Sequence, residues 1–163
     1  MQEIKSILMV CLGNICRSPV AEGVMRSKLE KYKLNIKLDS AGTSNYHIGE
    51  NPDQRSVKNA SKNGIDISHL KARQFKENDF NEFDIIFVMD EQNKKDILSL
   101  AKNKEDQEKV KLILNESSIT SHINVPDPFF GDEAGFQLVF ELLDQACESM
   151  AQKLSNQIIS LKQ

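Results

Sequence analysis

Four short strand-like segments, residues 4–10, 36–41, 83–89 and 110–114, alternate with stretches carrying the spacing of amphipathic helices. Residues 4–10 and 83–89 are rich in apolar residues and read as strands buried on both faces, whereas Ile36 and Leu38 alternate with Lys37 and Asp39. Helices placed between them supply the crossovers that parallel strands require. The expectation is an α/β fold: a three-layer arrangement with a four-stranded parallel sheet flanked by helices. The chain of 163 residues suits a single domain spanning residues 1–163.

The helix signals are local. Ser18 is a good N-cap, Pro19 suits the first helical position and Glu22 falls in the acid-favouring first turn, with Val20, Val24, Met25 and Leu29 marking an apolar face to about Tyr32. Residues 53–63 read as a second helix, with Gly64 at its C-terminal end. Asp90 opens a third, to about Asn103, and residues 104–109 read as a charge-dense turn. Residues 115–125 are polar and irregular, residues 126–131 form a proline-rigid turn, and residues 132–161 make a long final helix with Cys147 on its apolar side.

Composition narrows the function. A net charge of −3 and a pI near 5.7 argue against a broad basic face for nucleic acid. No apolar run is long enough to span a membrane, and the first residues lack the pattern of a secretory signal, so a cytoplasmic protein is expected. Three cysteines make no disulfide framework in a compartment that keeps thiols reduced. Cys11 and Cys16 have no partner cluster that would complete a zinc site, and Gly-x4-Gly-Lys-Ser/Thr does not occur. No metal or organic cofactor is implied. His47, His69 and His122 read as surface or loop residues rather than ligands.

The first segment ends at Val10, and Cys11-Leu-Gly-Asn-Ile-Cys-Arg17-Ser18 leads straight from it into the first helix. Ligands of open parallel sheets sit beyond the carboxyl ends of strands. A loop entering a helix N-terminus aims backbone N–H groups at one point and makes an anion site. Gly13 permits close approach of the backbone, and Arg17 offers a planar fork of donors matched to phosphate oxygens. A thiol in that field is favoured as its thiolate, the nucleophilic form. The loop therefore supplies a phosphate cradle with a nucleophile aimed into it. Attack on phosphorus would give a cysteinyl-phosphate that water removes. Far along the chain, Asp127 lies between Pro126 and Pro128 and before Phe129 and Phe130, a rigid carboxylate expected in a partly apolar setting that suits a general acid.

Cys-x5-Arg-Ser resembles the signature loop of cysteine-dependent phosphatases. VCLGNICRSPVAE, DSAGT from Asp39, KARQF from Lys71, MDEQN from Met89 and DPFFG from Asp127 together resemble the low-molecular-weight protein tyrosine phosphatase family over essentially the whole chain. The resemblance implies an enzyme that hydrolyses phosphotyrosine and aryl phosphates, with phosphotyrosine proteins as partners and inorganic phosphate as product. It implies Cys11 as nucleophile, Arg17 as phosphate binder and Asp127 as general acid, then base. Leu12, Gly13, Asn14, Ile15, Cys16 and Ser18 would surround the phosphate. Ser18 would donate to the Cys11 sulfur, and Asn14 and Ser40 would hold the loop in shape. It also implies that Cys16 can pair with Cys11 on oxidation, stopping Cys11 at a reversible step.

Some positions depart from that family. Phe129 and Phe130 stand where tyrosines are usual, which keeps the aromatic wall and removes any phosphorylatable hydroxyl. His69 is one place away from the histidine that many members carry before the Ala-Arg-Gln run. Tyr46 and Phe129 are placed to flank a flat aromatic group, with Leu12 and Ile15 at the floor, an arrangement that favours phosphotyrosine over the shorter phosphoserine. Protein-arginine phosphatases of this fold tend to have threonine where this chain has Ile15. An arsenate reductase of the same fold would need further cysteines near the third strand, and none occurs between Phe75 and Asn103.

Overall fold

The computed structural model describes residues 2–118 and 120–163. Its centre is β1 (Ser6–Cys11), every residue of which is buried. Ile7, Met9 and Cys11 face one core, and Leu8 and Val10 face the other, so the continuous apolar run is explained by burial on both sides. β2 (Lys37–Gly42) and β3 (Ile85–Val88) flank β1, and β4 (Val110–Leu112) lies outside β3, giving the order β2-β1-β3-β4 with all pairs parallel. Cys11 is opposite Gly42 at the end of its ladder, and Val10 is opposite Val88. The carboxyl ends of three strands therefore meet around the sulfur.

α1 (Arg17–Lys31) and α6 (Glu133–Leu161) cover the first face through Val24, Met25, Leu29, Leu143 and Leu154. α4 (Glu91–Leu98) covers the second through Ile97, beside Phe80, Phe83 and Ile86. α2 (Gln54–Lys62) is capped by the Asp53 side chain, which accepts from the Arg55 N–H at 2.9 Å, and the chain leaves it through Gly64 at φ +84°.

Several boundaries differ from the sequence expectation. α1 begins at Arg17 rather than after a Ser18 cap, and Cys16 precedes it with no side-chain cap bond. The Ser18 hydroxyl is used elsewhere, on the Cys11 sulfur. Glu22 is not a solvated first-turn acid but a buried carboxylate accepting from Ser40 and Arg26. The charge-dense stretch expected as a turn is a short helix, α5 (Lys104–Lys109), capped by Asn103, whose side chain accepts from the Asp106 N–H. α4 ends at Leu98, well short of Asn103, and turns at Leu100 and Ala101 lead on to the α5 cap. A single helical turn, α3 (Asp79–Glu82), was not anticipated, and β4 passes into a 3₁₀ turn at Ile113–Glu116. The stretch of residues 117–125 is irregular as expected, with Ile119 outside the described residues, as is Met1.

Candidate active site

The loop after β1 is shaped by one left-handed residue. Asn14 has φ +58°, a conformation its short polar side chain tolerates. Its backbone N–H donates to Cys11 Sγ at 3.3 Å. The loop passes so close to β2 that a Cβ on Gly42 would lie 2.8 Å from the Leu12 carbonyl oxygen, so glycine is required there. The first N–H groups of α1 have no partner within the helix and open onto the same space.

Beneath the sulfur runs a directed chain of hydrogen bonds. The Arg73 N–H donates to Asn14 Oδ1 at 3.0 Å, which fixes the side-chain amide. Asn14 Nδ2 then donates to Ser18 Oγ at 2.7 Å and to Ser40 Oγ at 3.0 Å. Ser40 donates to Glu22 Oε1 at 2.7 Å, and Arg26 holds the other carboxylate oxygen at 3.2 Å. Ser18 already accepts from Asn14, so its own proton is free for Cys11 Sγ, 3.0 Å away. A hydroxyl donating to sulfur stabilises the thiolate.

Arg17 is only 3% exposed. Its Nη1 donates to Asp90 Oδ2 at 2.5 Å and to the Val125 carbonyl at 3.1 Å, and its Nη2 lies 3.6 Å from Asp127 Oδ2. Burial works against the guanidinium charge. The Cys11 sulfur and Asp90 outweigh it and lift the Arg17 pKa above the ordinary arginine range. Cys16 is different. Burial, with Asp53 and Cys11 adding, pushes its thiol up to about 12, so it stays protonated at neutral pH.

Above the loop is a slot of about 230 Å³ lined by Cys11, Leu12, Gly13, Ile15, Cys16, Arg17, Tyr46, His47, Asp127, Phe129 and Phe130. The structure thus brings together at one opening most residues singled out from the sequence. Asn14 and Ser18 are buried behind the sulfur, and the Asn14 side chain reaches Ser40 there. Asp127 lines the slot beside Phe129 and Phe130 but is half open to water: its side chain is 44% exposed and its Oδ1 accepts from the Phe129 N–H at 3.1 Å. Phe130 is a rim residue, 96% exposed, with its ring edge-on to Phe129 at 4.9 Å.

The chain is matched over residues 6–160 by the family model described as low molecular weight phosphotyrosine protein phosphatase. It is 38% identical over 155 residues to the human low molecular weight phosphotyrosine protein phosphatase, covering 93% of this chain and 97% of the human one. The Gallus gallus protein of the same description is 39% identical over 153 residues, covering 93% and 96%. The chain belongs to this family. The crystal structure of the protein tyrosine phosphatase from Entamoeba histolytica with Hepes in the active site superposes with a TM-score of 0.90 at 35% identity, covering 94% of this chain and 99% of that one. As a member of the phosphotyrosine phosphatase family the protein is a hydrolase acting on phosphomonoesters.

Within this phosphatase, several functional side chains escaped the sequence reading. His47, expected as a bystander, lines the slot and is held by Glu50 at 2.8 Å from its Nδ1. Asp90, read only as a helix opener, anchors Arg17. Its position directly beyond the β3 carboxyl end was the available signal. Arg73 pairs with buried Asp79 at 3.0 Å and with Asp39 at 3.0 Å, which holds the segment whose N–H fixes Asn14. No local pattern announces those long-range pairs. His69 does not support the loop: it lies with Asp66 in a separate cavity on the outer side of α1.

Proposed function

We propose that this phosphatase hydrolyses phosphotyrosine in two steps through a cysteinyl-phosphate. In the first, Cys11 thiolate forms an S–P bond as the bond from phosphorus to the tyrosyl oxygen breaks, and Asp127 delivers its proton to that oxygen. In the second, water attacks phosphorus and gives a proton to Asp127. The S–P bond breaks, Cys11 leaves as thiolate accepting from Ser18, and inorganic phosphate departs. Arg17 and the N–H groups of the loop from Leu12 to Ser18, apart from that of Asn14, which donates to the sulfur, hold the phosphoryl oxygens throughout, so positioning and charge stabilisation carry most of the rate.

The observation that carries this reading is the convergence of Cys11, Arg17 and Asp127 on one slot walled by Tyr46 and Phe129. A depth set by a sulfur beneath two aromatic walls suits a phenyl phosphate better than the short reach of phosphoserine. Phosphotyrosine proteins are the substrates this supports. Relay of oxidising equivalents, as an arsenate reductase needs, is poorly served: Cys147 is fully buried on α6 with its sulfur 3.9 Å from the Ala21 carbonyl. No helix among the described residues is long and apolar enough to cross a membrane, and a nucleophilic thiol fits a reducing compartment such as the cytoplasm.

Initial rates on matched phosphotyrosine, phosphoarginine and phosphoserine peptides test the reading. Phosphotyrosine turnover should vanish in Cys11→Ser. It should fall about 100-fold in Asp127→Asn, the usual scale for a lost general acid. A folded wild type that turns over none of the three overturns it, and a preference for phosphoarginine would replace the substrate class while keeping the nucleophile.

A further inference from the structure

The slot has an unusual lip. Phe130, Tyr46 and Leu12 all border its opening, yet they are 96%, 72% and 39% exposed. Ile48, two residues past Tyr46, is also exposed. Apolar side chains scattered singly need no explanation, but a group of them around one opening marks a surface that meets a partner. Nor is Phe130 a loose end. Its ring packs edge-on against Phe129, and the turn beneath is closed by the Gly131 N–H donating to the Pro128 carbonyl at 2.9 Å.

The charges around this lip have one sign to spare. Arg17 is tied to Asp90, and Arg55, which reaches the outer side of Phe129, is tied through Nε and Nη2 to Asp53 at 3.0 and 2.9 Å. His47 is held by Glu50. That leaves four carboxylates, Asp53, Asp90, Asp127 and Glu50, against two guanidiniums, with Asp127 and Glu50 keeping about half of their side-chain surface in water. An acidic side chain arriving beside the phosphate would meet carboxylates and no uncommitted guanidinium, and an apolar one would meet aromatic rings.

We propose that Leu12, Tyr46 and Phe130 form a docking lip that selects phosphotyrosine sites with large apolar neighbours and disfavours sites with acidic ones. The proposal rests on the phosphotyrosine phosphatase reading and is continuous with its slot. In an extended peptide, residues two apart point the same way. With the phosphotyrosine ring lowered between Tyr46 and Phe129, the side chains two positions before and after it are directed down onto the lip. Covering half of one aromatic ring there is worth about 10-fold in affinity by the usual area scale.

Three phosphotyrosine peptides that differ only at those two positions, carrying leucine, serine or glutamate, test this by kcat/KM. Comparison within each enzyme removes any general loss of activity. Wild type should favour leucine over serine by about 10-fold and place glutamate last. Phe130→Ser should compress the preference for leucine over serine to about twofold, while glutamate stays last because Asp127 and Glu50 are unchanged. Ser18→Ala, which lowers turnover from behind the sulfur, should retain the full range. Equal rates on the three peptides, a preference for glutamate, or a leucine-over-serine preference unchanged in Phe130→Ser overturns the lip alone. Turnover of none of them by folded wild type overturns the underlying reading with it. Activity per enzyme that falls as protein concentration rises and recovers in Phe130→Ser would assign the lip to a second copy of the chain and overturn the proposal.

Discussion

The Arg55 guanidinium lies 5.4 Å from the centre of the Phe129 ring and 4.8 Å from that of Phe136. It joins three pieces of the site that are distant in sequence. Asp53, which grips Arg55, also donates its own N–H to the Ile15 carbonyl of the phosphate loop at 2.8 Å. Phe129 belongs to the turn that carries Asp127. Phe136 belongs to α6. Arg55 is therefore a positioning residue: it fixes the aromatic wall and the acid turn relative to the loop, by cation–π contact and a two-pronged ion pair.

Loss of this brace should show most where the acid is needed most. Arg55→Ala is expected to lower kcat on a phosphotyrosine peptide about 10-fold, because a displacement of the acid by about 1 Å has effects of that order or larger. The loss on p-nitrophenyl phosphate should be smaller, since its leaving group departs with little protonation. Arg55→Lys should recover part of the loss, keeping the charge without the fork. Equal losses on both substrates would show that Arg55 does not act through Asp127.

Ser18 makes a different prediction, because the nearest acceptor for its proton is the Cys11 sulfur at 3.0 Å, closer than the Ala41 carbonyl at 3.5 Å. Ser18→Ala removes the donor to the Cys11 sulfur and leaves Asn14 Nδ2 without one of its acceptors. The structural cost of that orphaned donor is about 1–3 kcal/mol. The catalytic cost falls on departure of the thiolate from phosphorus, and kcat should drop about 10- to 100-fold, the lower part of the range for a lost donor to developing charge. Cysteinyl-phosphate should accumulate and be visible as a burst of phenol before the slow steady state. A lower kcat with no burst and no trapped intermediate would place the effect on the first step instead.

The two thiols of the loop should be separable chemically. Cys16 is held protonated, with its pKa pushed up to about 12 by burial, Asp53 and Cys11, so iodoacetamide at pH 8 should label Cys11 and spare Cys16. Both nevertheless line the same slot. Hydrogen peroxide oxidises Cys11 to the sulfenic acid, and condensation with the Cys16 thiol releases water and forms the disulfide. Dithiothreitol should then restore wild-type activity, whereas Cys16→Ser should pass to the sulfinic acid and stay inactive. Equal recovery of the two after the same exposure would leave Cys16 as a packing residue beside Ile15, Ala72 and Phe136.

How far the site could be read in advance follows from the range of each interaction. The strand, loop and helix around Cys11 are contiguous, and their apolar run, Gly13, Arg17 and Pro19 report on one another within a few residues. The four-stranded parallel sheet was legible for the same reason, because each strand carries its own local signal: an apolar run in β1 and β3, and alternation around Leu38 in β2 and around Lys111 in β4. α5 was not: none of its residues is buried, so it has no apolar stripe, and only the Asn103 cap marks it. Ser18 looked like a cap because a hydroxyl before proline usually is one, but a buried sulfur competed for it and won. Asp90, Arg73 with Asp79, and Arg55 with Phe129 were invisible because each pair is closed by the fold rather than by spacing. The degree to which Asp127 is open to water was not legible from its neighbours: Phe129 and Phe130 line the slot with it, but Phe130 is almost wholly in solvent and does not enclose the carboxylate.

Cys147 supplies a test of the core that is independent of catalysis. It is fully buried between α6 and α1, and burial, with a smaller contribution from Asp144 against that of Lys28, pushes its thiol from 9.0 to about 12. Below pH 9 the thiol is neutral in both folded and unfolded chains and stability does not depend on it. Above pH 9 the unfolded chain releases the proton and the folded chain keeps it, so stability falls as pH rises until the folded group also titrates. At pH 10.5 the loss from this one thiol is about 2 kcal/mol, at about 1.4 kcal/mol for each unit above 9. Cys16 has the same sign and adds to the slope in wild type. In Cys147→Ala the fixed cost of the missing sulfur is the same at every pH, and the exposed lysines and tyrosines are common to both proteins. Urea unfolding at pH 8 and 10.5 should therefore show a smaller drop between the two for Cys147→Ala than for wild type. Equal drops would mean that Cys147 ionises as readily in the folded chain as in the unfolded one, which a sulfur enclosed at the α1–α6 interface does not allow.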